Sequence, residues 1–111
     1  MTNVVDIDVD RLYRYIGEHI KRRRTEAGLT QAQLAAQSGV LRTSIANVET
    51  ARQKVPLDVL YRLCISLEIE TRAILPPNEQ ASAQPIELNV NGVIREVPPK
   101  AAKLLERLLK E

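Results

Sequence analysis

Residues 30–49, TQAQLAAQSGVLRTSIANVE, constrain this chain more than any other stretch. They read as two short helices broken at Ser38-Gly39. Thr30 suits a helix N-cap, and Gln33 three residues later completes a capping box. Leu29 and Leu34 flank that cap as a hydrophobic staple. Leu34, Ala35 and Ser38 then form an inward face that stops at Gly39, where glycine takes a positive φ at little cost. In the second helix Val40, Ile45 and Val48 give one apolar face. Its other face carries Arg42, Thr43, Ser44 and Asn47, all hydrogen-bonding side chains. An apolar back with fork-shaped or short polar groups in front is the composition of a helix that lies in the DNA major groove. Taken alone, the same front would equally suit an ordinary solvated surface.

A wider pattern bears on that choice. LTQAQLAAQSGV, then SIANVE, then the proline-led LDVLYRLCISLEI carry residue types at about a dozen fixed spacings between roughly residues 12 and 75. In these the chain resembles the Xre/Cro-like helix-turn-helix family of phage and bacterial repressors. The resemblance implies an all-α, five-helix, lambda-repressor-like DNA-binding domain over residues 11–75. It also implies that Arg24 pairs with Glu49 to brace the first helix against the third. Gln31 matches a position that touches phosphate and neighbouring base edges, and Arg52 and Lys54 match positions that contact the DNA backbone. This sequence departs from the pattern twice. Leu41 stands where a hydroxyl-bearing cap is usual, so it either packs inward, the preferred expectation, or meets a thymine methyl. Ala51 replaces a common glycine, so the third helix is expected to run on by a residue.

Bulk properties narrow the function class. The 111 residues are 44% hydrophobic but include no Phe or Trp and three Tyr, so the core is aliphatic. No apolar run approaches the roughly 18–20 residues of a membrane span, and no signal-peptide pattern opens the chain. A cytoplasmic protein without membrane association is expected. One Cys and one His leave no disulfide, no metal site and no cofactor to expect, and no nucleophile–base constellation for an enzyme. The net charge of +2 is uneven: residues 1–10 carry −3, residues 11–75 carry +5 and the remainder is neutral. The basic excess therefore lies on the helix-turn-helix segment.

The flanks complete the layout. Residues 1–10 alternate Val5, Ile7 and Val9 with Asp6, Asp8 and Asp10; period two suits a half-buried strand or an extended arm, with a disordered tail the preferred expectation. A first helix follows over 10–27, with Leu12, Ile16, Ile20, Arg24 and Ala27 on one stripe. Arg22 and Arg23 at its end are candidate phosphate contacts, and His19 is a surface residue. Pro56 opens a fourth helix with a core stripe of Leu57, Leu60, Leu63, Cys64 and Leu67, in which Cys64 is a small buried hydrophobe. A short fifth helix is expected over 71–75. Residues 76–85 read as a proline-rich linker.

Beyond it, Ile86, Leu88 and Val90 alternate with polar residues up to Asn91-Gly92, a strong hairpin signal, with Val93 opening the second strand. Pro98-Pro99 leads into an amphipathic helix bearing Leu104, Leu105 and Leu108. A lone hairpin and a lone amphipathic helix both need a partner surface. Residues 86–111 are therefore expected to be a dimerisation element of a homodimer on double-stranded DNA. The alternative is an antitoxin or adapter that grips a protein partner through this segment and binds DNA autoregulatorily.

Overall fold

The computed structural model describes residues 4–83 and, by their backbones, two strands beyond. The Asn91-Gly92 turn, the amphipathic helix with Leu104, Leu105 and Leu108, and the side chains of Ile86, Leu88, Val90 and Val93 lie outside the described residues. The chain divides into two compact units, Asp10–Pro76 and a second formed by the segments on either side of it.

Four helices build the first unit: α1 (Val9–Glu26), α2 (Gln31–Ser38), α3 (Arg42–Glu49) and α4 (Leu57–Ser66). Ile16 and Ile20 of α1, Leu34 of α2, Val40, Ile45 and Val48 around α3, Leu60, Leu63 and Cys64 of α4, and Ile74 form one aliphatic core. Fully burying an aliphatic side chain of this size contributes about 1.5–3 kcal/mol. Burial, with a smaller contribution from Glu70, pushes the Cys64 thiol above its ordinary pKa.

Local chemistry sets the boundaries. The α2 capping box is complete: Gln33 N donates to Thr30 Oγ1 at 3.1 Å and Thr30 N to Gln33 Oε1 at 2.8 Å. Gly39 closes α2 at φ 72°. Gly17 has a different task, because a Cβ there would lie 2.3 Å from the Val48 carbonyl oxygen and 2.9 Å from that of Glu49. Glycine thus lets α1 rest directly on the last turn of α3.

Several expectations need correction. Leu57 is 68% exposed rather than part of the α4 core stripe. At about 100° per residue it falls roughly 80° from the centre of the buried face, on the same side as the exposed Tyr61 and Ile65. The expected helix over 71–75 is a single 3-10 turn, Thr71–Ala73. Leu75 precedes Pro76, and a residue before proline is pushed out of the α region. Ala27 lies past the end of α1 and is exposed. His19 is half-buried, its ring stacked on Tyr15 at 3.8 Å.

The second unit contains the extended arm, whose Ile7 bridges Ser82, with Asp8 N donating to Ala81 O at 3.4 Å and Ala83 N to Asp6 O at 3.1 Å. The stretch read as a linker holds a one-turn helix, α5 (Asn78–Ala81). Pro77 supplies its first acceptor, taking the amides of Gln80 and Ala81. Strands β1 (Ile86–Val90) and β2 (Val93–Val97) are antiparallel, with Ile86 opposite Val97 and Val90 opposite Val93.

Candidate nucleic-acid interface

The front of α3 is built from the back. Ile45 and Val48 are held in the core, so Arg42 and Thr43 face outward, with Ser44 and Asn47 half-buried at the edges of the same surface. Leu41 is also outside, 73% exposed, with φ −63° and ψ 139°. Packing inward, the preferred expectation, is overturned: Val40 fills the core position beside it, and adjacent residues of an extended segment point oppositely. Leu41 makes no side-chain cap bond, as an aliphatic residue must.

Behind this face lies a buried ion pair. Arg24 Nε donates to Glu49 Oε2 at 2.6 Å and Arg24 Nη2 to Glu49 Oε1 at 2.9 Å, a bidentate fork. The two residues are only 8% and 7% exposed. Arg24 Nη1 also donates to Leu29 O at 2.8 Å, which ties the α1–α2 turn into the same cluster. The Glu49 hydrogen bonds, together with its charge, raise the Arg24 pKa further against the opposing effect of burial. The guanidinium side of the fork is thereby held in its charged form.

The loop after α3 is tied to that helix. Helix α3 stops at Glu49 and does not run on, so the expectation for Ala51 is also overturned. Ala51 adopts φ 59°, the left-handed conformation that glycine takes more cheaply. That turn lets Arg52 N donate to Asn47 O at 2.9 Å and Gln53 N to the same oxygen at 3.2 Å. The exposed Arg52 is thereby anchored by its backbone to the residue that ends the polar face. Lys54, also exposed, has its ammonium 5.9 Å from the centroid of the Tyr13 ring on α1, in cation–π range.

Known proteins are similar to this chain over its helical unit. The family described as Helix-turn-helix domain matches residues 16–70. The restriction-modification controller protein C.AhdI from Aeromonas hydrophila is 32% identical, covering 57% of this chain and 96% of its own, with a TM-score of 0.56. This chain belongs to the Xre/Cro-like helix-turn-helix family. The hypothetical transcription factor NHTF from Neisseria is similar at 25% identity, covering 71% of this chain and 90% of its own, TM-score 0.56. The biofilm regulator SinR, solved in complex with DNA, is 27% identical over 53% of this chain and 95% of its own, TM-score 0.51. No curated protein matches the sequence.

Within this Xre/Cro-like domain, one candidate contact also has a partner inside the protein. Gln31, the first residue of α2, turns Nε2 toward Glu49 Oε1 at 3.0 Å and so joins the buried brace. Its nitrogen is engaged inside the protein. Arg22 leans toward Glu26 at 3.9 Å, with both side chains mostly in solvent, and Arg23 is half-buried. Sequence reasoning missed Gly17 and the turn at Ala51. A glycine inside a strongly periodic helix was the available signal for the first, since it costs about 1 kcal/mol relative to alanine. Among the described residues no cluster of His, Cys, Asp and Glu could hold a metal ion. Likewise no described helix is long and apolar enough to cross a membrane.

Proposed function

We propose that this DNA-binding transcriptional regulator is a homodimeric repressor that places α3 in the major groove of an inverted-repeat operator. The observation that carries the reading is the outward set Arg42, Thr43, Ser44 and Asn47 on a helix whose opposite side is locked into the core. Arg42 takes guanine through O6 and N7, and Asn47 takes adenine through N6 and N7. Thr43 and Ser44 supply shorter contacts. Gln31 keeps its nitrogen on Glu49 and offers its carbonyl oxygen, an acceptor suited to an exocyclic amino group on a base edge. Arg52 and Lys54 neutralise phosphates and give affinity that falls as salt rises. Repression is steric, through occupation of promoter DNA. Residues 86–111 hold two copies together, with Ile86, Leu88, Val90 and Val93 of the hairpin and Leu104, Leu105 and Leu108 as the apolar contacts.

Selection of binding sites from random-sequence DNA tests this directly, with the full chain and residues 1–77 run side by side. An inverted repeat with half-site centres about one helical turn apart is expected from the full chain, and weak half-sites from the shorter one. The same repeat from both would release residues 86–111 for a protein partner, as in an antitoxin or adapter. No enrichment from either would reduce the polar face to solvated surface.

A further inference from the structure

Leu41 is an expensive residue for the place it occupies. It is the last residue before α3, where Ser, Thr, Asn or Asp would satisfy a backbone amide, and it makes no such bond. It leaves a branched aliphatic side chain 73% exposed and belongs to neither the core nor its partly buried margin. The fold of the helical unit therefore gives no reason for a leucine here. Its neighbours in the chain are Arg42 and Thr43, both exposed at the leading end of the helix. When such a helix enters the major groove, its N-terminal residues are those that meet base edges.

We infer that Leu41 reads the 5-methyl group of a thymine in each operator half-site. This rests on the DNA-binding reading above and adds to it a residue that determines specificity. The chemistry permits one target. A leucine side chain has no donor or acceptor, and in unmodified DNA the thymine methyl is the apolar group that a base pair presents in the major groove. Contact buries that methyl against the Leu41 side chain. Loss of one methyl's burial corresponds to an affinity decrease of about fourfold. Arg42 beside it takes a guanine, so the thymine should lie next to, or one step from, a guanine in the half-site.

The test uses the full chain and synthetic, unmethylated operator DNA taken from the selected sites. Each thymine is replaced in turn by deoxyuridine, which lacks only the methyl, and affinities are measured by fluorescence anisotropy. For the wild type, one replacement per half-site should weaken binding about fourfold. In Leu41→Ala that same replacement should have no effect. Leu41→Ser, which restores a helix cap and so secures the fold, should be equally indifferent to it. An effect of deoxyuridine that is the same in wild type and both variants would belong to DNA shape and would overturn the inference. So would a wild type indifferent to every replacement. A parallel arm places 5-methylcytosine at each cytosine; strengthening there in place of any thymine effect would make cytosine methylation the signal read and would overturn the thymine assignment. A sequence-selective complex with no methyl dependence sinks the role of Leu41 alone, whereas failure to form any selective complex sinks the DNA-binding reading with it.

Discussion

At the scale of single residues, one ion pair and one backbone position hold the helical unit in its present form, and they behave oppositely. Arg24 and Glu49 are charges removed from water and satisfied by each other, by Leu29 O and by Gln31. Such a pair adds little net stability over apolar residues, but breaking it leaves an uncompensated buried charge. Arg24→Ala should therefore cost about 3–5 kcal/mol in urea unfolding, while Arg24→Met combined with Glu49→Leu should recover most of that loss. If Arg24→Ala unfolds like wild type, the pair is no brace. Ala51, by contrast, is held at φ 59° against its own preference. Glycine there would relieve about 1–2 kcal/mol of left-handed strain and give back about 0.4–1 kcal/mol in unfolded-chain entropy. Ala51→Gly should thus raise the melting temperature; a lower one would mean that the alanine methyl is itself packed.

At the scale of elements, α3 and the turn after it behave as one piece, because Arg52 and Gln53 hang from the Asn47 carbonyl. Changes to the outward side chains should consequently alter binding without altering folding. Arg42→Ala and Asn47→Ala are each expected to lower operator affinity by about 1–3 kcal/mol and relax specificity at one base, with unchanged melting. Unchanged affinity in both variants would remove α3 from the groove. Much of this element-level plan was legible in the sequence. Thr30 and Gln33 marked the start of α2, Gly39 its end, and Arg24 stood out as a charge on an apolar stripe. What could not be read depends on neighbours distant in sequence. Leu57 looks like core until the position of the buried face of α4 is known, and the bond from Gln31 to Glu49 joins residues 18 positions apart that only the fold brings together. Ala51 was misread because residue preference argues against a left-handed alanine, and the hydrogen bonds to the Asn47 carbonyl overrule it.

At the scale of the whole molecule, the core of the described residues lies within the unit Asp10–Pro76. Removing residues 78–111 should leave its melting nearly unchanged and, if the segment dimerises the chain, yield a monomer by light scattering. A persistent dimer would move the interface to the helical unit, where Leu57, Tyr61 and Ile65 already expose an apolar stripe along α4. One feature of this unit also bears on how such a protein can change over generations. Because Gly17 seats α1 on the main-chain carbonyls of α3, the placement of the reading helix owes nothing to the side chains it turns outward. On the proposed reading, positions 41, 42, 43, 44 and 47 can drift to recognise new sequences while the scaffold beneath them stays put. Position 17, in contrast, has no neutral neighbours: any side chain there pushes against the carbonyls of Val48 and Glu49 and displaces α3 with everything it carries.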